Sequence, residues 1–314
     1  MEIKEVDVNE WYRLSSLSGN NSICFQPEFI LIIAQSFSIV PVCWIVYRNE
    51  QPVIGLLSYR KKGALVHPSV YTYTAIWTAS SSFMVQQALM LLLAHLKSKF
   101  TRIHFWLPPE ITDIRPFIRS GFRPAVNYTL LKSLEDLKFS TQLRAREKKA
   151  ESYNVRFLWD DKQSDIMEQY NREFSSYGYG AKHGNQLSLF FSALLKGGFA
   201  KSLSGRIENK LVASGIVLVD EPRKHSMNML ISSEKKHYDT GVHSALYMHI
   251  FRNLREEGYL TNDLYGANTL GIGNFKSNFT NNLLPHYEVK YNARLRAILD
   301  FRHNFKKRLL RFFR

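Results

Sequence analysis

The feature of this sequence that most constrains its fold is a repeated pattern of strands, turns and helices. Residues 48–57 and 207–217 each place a polar turn between two runs rich in β-branched residues. When the glycines of these two stretches are aligned, the offset is 160 residues, and residues 103–106 fall on 263–266. A third match, of residues 117–122 with 275–279, follows in the same order. A period of this length is too long for a solenoid. The sequence therefore predicts two copies of one structural unit.

Each copy shows the order strand, strand, helix, strand, helix, strand. Apolar residues spaced by four from Val242 to Leu254 predict a helix over 242–256, which Gly258 ends. The other predicted elements of the second copy are strands at 210–219, 225–232, 262–265 and 284–291 and a short helix at 270–278. The first copy has a matching helix at 85–97 and a matching strand at 101–107. Such alternation predicts an α/β (α+β) fold in which helices flank mixed, mostly antiparallel sheets.

The length of 314 residues also favours two domains, since about 150 residues per domain is usual. We expect a first domain at 1–137, a second at 138–292 and a C-terminal helix at 293–314. The second domain should open with a basic helix over 138–153, with Ser140 as its N-cap. That helix is either a binding surface or an ordinary solvated face.

The composition is that of a soluble globular protein, with 45% hydrophobic residues and a mean hydropathy of −0.24. Intrinsic disorder and fibrous character are excluded. Cys24 and Cys43 match no metal-binding spacing, so we expect two free thiols in a reducing compartment. The most apolar stretch, 29–46, is interrupted by polar residues and a proline, and a signal peptide pattern is missing from the first residues. We expect a cytoplasmic protein.

A specific motif lies in the second copy. It begins as Asp263-Leu264-Tyr265-Gly266-Ala267-Asn268 and continues as Gly273-Asn274-Phe275-Lys276-Ser277-Asn278-Phe279. Together with Leu-Pro-His-Tyr at 284–287 and the basic helix, it resembles the Fem-type branch of the GNAT acyltransferase superfamily, the FemAB-like peptidoglycan aminoacyltransferases. The resemblance covers roughly residues 138–290. It implies two tandem GNAT-like domains and the transfer of an acyl or aminoacyl group to an amine.

The resemblance leaves the donor open between acyl-CoA, such as acetyl-CoA, and aminoacyl-tRNA. Our first hypothesis is an N-acyltransferase that moves an acyl group from a CoA thioester to an amino group of a cell-envelope or polysaccharide precursor. The second is an aminoacyl-tRNA-dependent enzyme that acts on a peptidoglycan precursor. The third is a non-catalytic module that binds RNA or a membrane, in which Lys276 is dispensable.

Acyl transfer to an amine needs oriented substrates and a group that stabilises the developing oxyanion, but it needs no protein nucleophile. Consistently, the sequence contains neither a G-x-S-x-G motif nor a recognisable catalytic triad. Lys276 matches the family lysine implicated in catalysis, and the resemblance therefore assigns it the charge-stabilising role. The residues alone favour a surface lysine between two core phenylalanines, Phe275 and Phe279, because exposed lysine is the default.

The donor site of GNAT proteins uses the motif R/Q-x-x-G-x-G/A, whose backbone amides hold pyrophosphate at a helix N-terminus. The matching segment here runs from Tyr238 to His243, and Gly241 alone agrees with the motif. Asp239 adds an acidic group, and His243 adds bulk where the backbone should approach a phosphate. The candidate cofactor-binding residues are Thr240, Gly241 and Ser244.

The candidate substrate-binding residues come from the motif, the preceding strand, a glycine-rich loop and the basic helix: Phe275, Tyr265, Asn268, Asn228, Tyr179 and Arg144. Asn268 is equally readily a helix cap. Tyr179 lies in the loop 177–180, which is either a lid over the acceptor site or an ordinary turn. We predict no metal site, because the three histidines near the central helix recur every six residues and not at i, i+4: His237, His243 and His249.

The net charge of +15 is unevenly distributed. The last 22 residues, 293–314, hold eight basic residues and one acid, so 8 − 1 = +7 belongs to them. Their apolar residues fall near one face, which predicts a basic amphipathic helix. Three partners fit it: the protein's own first domain, the inner face of an anionic membrane, or RNA such as tRNA. The remaining charge suits an anionic small-molecule or lipid-linked sugar precursor.

The membrane hypothesis makes a direct prediction. Deleting residues 303–314 removes basic and apolar side chains together, so a smaller fraction of the protein should float with anionic liposomes. Unchanged recovery with the liposomes would contradict docking through this segment.

Overall fold

The computed structural model describes residues 1–17, 19, 21–68, 73–79, 82–161, 163–176 and 181–295. Internal contacts divide it into two compact units. The first contains Met1–Asn20, Ile39–Asn127 and the described residues from Pro285 onward, and the second contains Asn21–Ser38 and Tyr128–Leu284. This division differs from the expected boundaries at 137/138 and 292/293, because each unit is built from separate stretches of chain.

The elements are numbered in chain order. The strands are β1 (Glu2–Val6), β2 (Val40–Arg48), β3 (Gln51–Lys61), β4 (Ala64–Val66), β5 (Ile76–Thr78), β6 (Arg102–Leu107), β7 (Arg123–Ser133), β8 (Arg156–Trp159), β9 (Ala200–Ile207), β10 (Lys210–Asp220), β11 (His225–Ser233), β12 (Thr261–Asp263) and β13 (Leu283–Asn292). The helices are α1 (Val8–Leu17), α2 (Pro27–Phe37), α3 (Ser82–Lys99), α4 (Arg115–Arg119), α5 (Thr141–Ser152), α6 (Gln163–Ser176), α7 (Ala181–Lys196), α8 (Val242–Glu256) and α9 (Leu270–Ser277). Short 3₁₀ helices lie at Ile23–Phe25, Glu221–Arg223 and Lys235–Thr240.

The sheet of the first unit has the strand order β1-β2-β3-β4-β6-β13, and β5 also pairs with β3. Its pairs are antiparallel except for the short parallel pair β4–β6. The helix α3 covers it with Ala88, Leu92 and Leu96, which share a fully buried cluster with Trp44 and Phe105. Residues spaced by four lie on one side of a helix, and this spacing explains why α3 buries that side.

The sheet of the second unit has the strand order β7-β12-β11-β10-β9-β8, and β11–β12 is its parallel pair. The central helix α8 has the predicted bounds, 242–256. Its stripe of Val242, Leu246, Ile250 and Leu254 is fully buried in one cluster with Val217 of β10. The expected fold class, with helices on mixed and mostly antiparallel sheets in two tandem units, is confirmed.

The last strand of each predicted copy pairs with a strand of the other copy. Residues 131–133 at the end of β7 pair with β12 in the second unit. Residues 287–292 of β13 pair with β6 in the first unit. Ladder hydrogen bonds join backbone groups, so a strand's residue pattern alone does not specify its partner. The repeat identified the strands but not their pairing.

The segment Asn21–Ser38 is the second departure from the expected boundaries. Its helix α2 packs on the region around α7, with ring centroids 5.3 Å apart for Phe29 and Phe199. The Ser22 hydroxyl donates a hydrogen bond of 2.6 Å to the buried Asp220 carboxylate. Burial raises the pKa of Asp220, and the hydroxyl opposes that rise. These contacts place 21–38 in the second unit.

The basic helix is confirmed as α5, Thr141–Ser152, with the predicted cap. The Ser140 hydroxyl accepts a hydrogen bond of 3.3 Å from the Leu143 amide. Neither Cys24 nor Cys43 forms a disulfide bond, and burial raises the pKa of the Cys43 thiol to about 12. Among the described residues, none of the helices combines the length and the apolar character needed to cross a lipid bilayer.

Gly241, the N-cap of α8, lies close to the backbone of α5 and yields a prediction. Its φ is +81°, and a Cβ atom there would lie 2.2 Å from the Arg146 carbonyl oxygen. We predict that Gly241→Ala lowers the free energy of unfolding by more than about 2 kcal/mol, because backbone strain adds to a clash with main chain. Urea unfolding measures the loss.

Gly258→Ala is the matched control. Gly258 has a similar φ of +85° but no neighbour within 4 Å of the added Cβ, so only the strain of about 1 kcal/mol applies. Equal losses at the two positions would show that the close approach of α5 contributes nothing.

Candidate functional site

A cavity opens in the second unit where β11 and β12 separate. The two strands pair for three residues, ending at Met227 and Asp263. On the other side of β11, Ile216 pairs with Leu230 and Val217 with Asn228, so that Met229 is an extra residue, a β-bulge. A bulge bends its strand, and β11 therefore turns away from β12. The resulting cavity has a volume of about 660 Å³, within the range of ligand pockets.

The chain beyond β12 makes a tight turn beside this cavity. Tyr265 and Gly266 both have left-handed backbones, with φ of 50° and 67°. The Tyr265 amide donates a hydrogen bond of 2.7 Å to Asp263 Oδ1, and the Thr129 hydroxyl donates to the same oxygen. A buried carboxylate thus stabilises a turn whose backbone would otherwise be strained.

Lys276 is buried beside this turn, with 7% of its surface exposed. Its ammonium donates hydrogen bonds to the carbonyl oxygen of Tyr265 and, at 3.0 Å, to that of Gly266. Burial lowers the pKa of Lys276 to about 8, against the opposing effect of the Asp263 charge. The interpretation of Lys276 as a surface lysine is therefore wrong.

Aromatic contacts between α8 and α9 hold Lys276 in place. His243, Tyr247 and Phe251 follow at intervals of four on α8. Phe275 on α9 and Phe279, two residues after the end of that helix, are also four residues apart. Ring centroids lie 4.8 Å apart for His243–Phe275 and 5.1 Å apart for Tyr247–Phe279. Aromatic pairs at these separations are stabilising beyond their burial. Because Phe275 precedes Lys276 directly, this packing fixes the direction of the lysine.

His243 forms one wall of the cavity. Its Nδ1 lies 2.9 Å from the Ser233 hydroxyl oxygen. Burial lowers the pKa of His243 to about 4, and the charge of Lys276 lowers it further. The ring is therefore neutral at pH 7 and adds no second positive charge beside Lys276.

The N-terminus of α8 and the basic helix α5 form one end of the cavity lining. Arg146 and Lys149 line it from α5, and Arg146 Nη1 donates a hydrogen bond of 3.4 Å to the Ser244 hydroxyl. Unpaired amides at a helix N-terminus favour anions. Asp239 lines the same cavity and opposes this preference. The net result is a cationic end suited to a phosphate-bearing group.

Asn228 has an unsatisfied polar group in the cavity wall. Its side chain is 3% exposed, and its Oδ1 accepts a hydrogen bond of 3.2 Å from Asn262 Nδ2. Its own Nδ2 has no hydrogen-bond partner in the described part of the chain. Buried donors are rarely left unpaired in folded proteins, and those that are call for an explanation.

Six of the ten predicted site residues line this one cavity: Lys276, Phe275, Tyr265, Asn228, Gly241 and Ser244. Arg144, Asn268 and Thr240 are not among the lining residues, and Tyr179 lies outside the described residues. Arg144 is exposed on another side of α5. Arg146 and Lys149 were not among the predicted site residues. The signal that could have identified them is the buried side of α5, which Leu143, Glu147 and Ala150 mark.

Asn268 and Thr240 have structural roles instead. Asn268 Oδ1 accepts a hydrogen bond of 2.7 Å from the Tyr128 amide, and the N-cap of α9 is Thr269. The alternative expectation, that Asn268 caps the helix, is therefore wrong, whereas its role in substrate contact stays a prediction. The Thr240 hydroxyl donates a hydrogen bond of 2.7 Å to the His237 carbonyl oxygen, just before α8.

The other two histidines of the series have separate partners. His237 Nε2 lies 3.6 Å from Glu234 Oε2, and His249 Nε2 lies 3.7 Å from Oε1 of the buried Glu147. Glu147 also accepts hydrogen bonds from Arg252, which link α5 to α8. Within the described ranges, no group of three or more His, Cys, Asp or Glu side chains could hold a metal ion.

The buried lysine gives a prediction on stability and pH. Folding lowers the pKa of Lys276 from 10.5 to about 8, so between these values the unfolded chain holds more protons than the folded one. The cost of burying the charge, about 3 kcal/mol, is complete below pH 8 and disappears as the pH rises to 10.5. Lys276→Met removes this cost. Its free energy of unfolding relative to wild type should therefore be highest below pH 8 and fall towards pH 10.5.

Urea unfolding at pH 7, 8.5 and 10 measures this difference. Lys210→Met, at an exposed position, is the control and should differ from wild type by the same amount at each pH. If the Lys276→Met difference is also independent of pH, Lys276 has no lowered pKa.

Searches against protein-family models and against curated proteins found no match for this chain. Solved structures do match. FemX has a TM-score of 0.66 at 12% identity, covering 95% of this chain and 99% of FemX. The C-terminal domain of an Agrobacterium fabrum protein assigned as a lysylphosphatidylglycerol synthetase has a TM-score of 0.57 at 14% identity, covering 94% and 96%. A tandem GNAT protein from the clavulanic acid biosynthesis pathway has a TM-score of 0.56 at 10% identity, covering 93% and 98%.

At these identities the similarity shows the fold. Each match extends over more than nine-tenths of both chains. The similarity therefore covers both units of this chain and is not limited to one of them. The resemblance noted in the motif from Asp263 to Phe279 is confirmed at the level of the fold: the chain has a tandem GNAT-like fold similar to that of FemX.

Proposed function

We propose that the chain is an N-acyltransferase whose active site is the cavity beside β11, β12, α8 and α9. The observation that carries the proposal is the meeting of two unusual groups in that cavity: the buried Lys276 ammonium and the unpartnered Nδ2 of Asn228. Perturbed ionisable groups and unsatisfied buried donors are concentrated at functional sites. The tandem GNAT-like fold supports acyl transfer as the reaction.

In the proposed reaction, the amino group of the acceptor attacks the carbonyl carbon of the donor. A C–N bond forms, the carbonyl becomes an oxyanion, and the C–S bond of a thioester or the C–O bond of an ester then breaks. The amine loses one proton and the leaving group gains one. Asn228 Nδ2 and the Lys276 ammonium donate hydrogen bonds to the oxyanion, where preorganised donors contribute most to catalysis.

The cationic end of the cavity supports a phosphate-bearing donor. Arg146, Lys149 and the N-terminus of α8 would bind the pyrophosphate of acyl-CoA, acetyl-CoA being the simplest example. Aminoacyl-tRNA is the second candidate, favoured by the exposed Arg144 and Lys148, which extend the basic surface of α5 beyond the cavity. Both donors carry the carbonyl group that the reaction needs.

We further propose that the acceptor is an amino group on a cell-envelope or polysaccharide precursor, either a soluble anionic molecule or a lipid-linked sugar. Such a role in envelope biogenesis would place the protein in the cytoplasm, with residues 293–314 as a peripheral contact to the inner membrane face. Most of that segment, 296–314, lies outside the described residues. The amphipathic pattern of its sequence is the support for this contact.

The proposal predicts which label the protein transfers and which variants fail. With an envelope-precursor extract, wild type should move radiolabel from acetyl-CoA or from charged tRNA onto an acceptor. Lys276→Ala should lower kcat/KM by at least about 100-fold, and Asn228→Ala by about 10-fold or more, because each removes an oxyanion donor. Initial rates at subsaturating donor give these ratios.

Lys210→Ala serves as the control, since it removes an exposed lysine of the same unit and should leave the rate unchanged. Circular dichroism checks that each variant is folded. Near-normal transfer by folded Lys276→Ala would exclude the assignment of this cavity as the active site. Failure of wild type to move either label would favour the binding-module hypothesis.

A further inference from the structure

A second cavity, of about 740 Å³, lies within the first unit. Its floor is apolar and includes Leu65 of β4 and Ile103 of β6, each 1% exposed. Its rim is basic, with side chains from four separate stretches of chain: Lys61, Lys62, Arg102, Arg123 and Lys290. This volume lies within the range of small-molecule sites.

The lining of this cavity contains more basic than acidic side chains. Glu288 is the one acidic residue among the described residues that line the cavity. Its Oε1 lies 2.8 Å from His104 Nε2, 3.1 Å from Trp106 Nε1 and 2.6 Å from Lys290 Nζ. The hydrogen bond from Lys290 helps to hold the pKa of Glu288 below its usual value, although burial acts against it. The Glu288 charge is therefore already engaged within the unit.

The two arginines at the rim are exposed side chains at the beginnings of strands. Arg102 is the first residue of β6 and Arg123 the first of β7, and both side chains are exposed while lining the same concave surface. A guanidinium group can donate two parallel hydrogen bonds to the oxygens of one phosphate, whereas a lysine ammonium group acts as a point charge. Like charges gathered on a concave surface repel one another and raise its affinity for anions.

The wall of the cavity also offers a planar surface. The His67 ring lines it and stacks on Trp106, with centroids 5.6 Å apart and 10° between the planes. Together with Leu65 and Ile103 this ring can contact an apolar or planar part of a ligand. A free inorganic anion would leave these surfaces unused.

We propose that this cavity of the first unit binds a phosphate-bearing ligand whose remaining part is apolar or planar. The phosphate lies against Arg102 and Arg123, and the rest of the ligand covers Leu65, Ile103 and His67. The site is separate from the proposed transfer chemistry, whose residues belong to the second unit. Its test can therefore fail or succeed independently of that chemistry.

The test compares two sources of phosphate on the full-length protein. Inorganic pyrophosphate is titrated by calorimetry, and vesicles of phosphatidylglycerol in phosphatidylcholine are tested by flotation against vesicles of phosphatidylcholine alone. The variant Arg102→Gln/Arg123→Gln removes two positive charges from the rim. Arg119→Glu changes the net charge by the same −2 at an exposed position of the first unit that does not line the cavity.

For the pyrophosphate titration each protein also carries Arg146→Gln and Lys149→Gln, which remove the pyrophosphate contacts proposed for the second unit. Pyrophosphate should then bind the protein with the unchanged rim at least about tenfold more tightly than the double variant, while Arg119→Glu should stay within about twofold of the unchanged rim. A difference confined to phosphatidylglycerol vesicles also supports the site and identifies a lipid head group as the source. Both variants keep residues 296–314, so that segment cannot produce the difference. Equal binding by wild type and double variant in both assays, or equal losses in both variants, would overturn the proposal.

Discussion

The separation of β11 from β12 after Met227 and Asp263 is the constraint on which the site depends. The bulge at Met229 bends one strand, and the turn at Tyr265 and Gly266 redirects the chain after the other. Without this separation the pair would continue its ladder and fill the space beside Asn228. With it, buried polar groups border a cavity. One missing stretch of pairing thus produces both the space and the groups that can act in it.

Asp263 has a central place in this arrangement because it supports the turn and also acts on Lys276. Its carboxylate accepts a hydrogen bond from the Tyr265 amide, and its charge partly offsets the effect of burial on the pKa of Lys276. The ammonium itself bonds to two carbonyl oxygens and not to a carboxylate. A carboxylate partner would hold the charge more strongly but would also neutralise it. Carbonyl partners leave a positive charge in the cavity that can still stabilise an oxyanion.

Sequence patterns predicted what depends on local geometry. The four-residue spacing of α8 and the capping by Ser140 are local signals, and both elements are confirmed. Burial of Lys276 was not predictable, because it depends on the turn at Tyr265 closing over α9. Arg146 and not Arg144 lines the cavity, and this difference depends on which side of α5 packs against α8. The partner strands of β7 and of β13, which are β12 and β6, are determined by backbone contacts, and a residue pattern does not specify such contacts.

The two copies differ at corresponding places, and the difference accounts for their cavities. In the first unit the parallel pair β4–β6 is followed by Thr74, whose amide donates a hydrogen bond of 2.7 Å to the Trp106 carbonyl oxygen. The Trp106 amide donates in return to the Thr74 hydroxyl at 3.0 Å. This exchange fills the position at which β11 and β12 are open in the second unit. The first unit therefore has no equivalent gap among its described residues, and its cavity lies near the first residues of β4 and β6. An opening flanked by Lys276 and Asn228 suits chemistry on a carbonyl group, whereas an apolar floor with a basic rim suits binding alone.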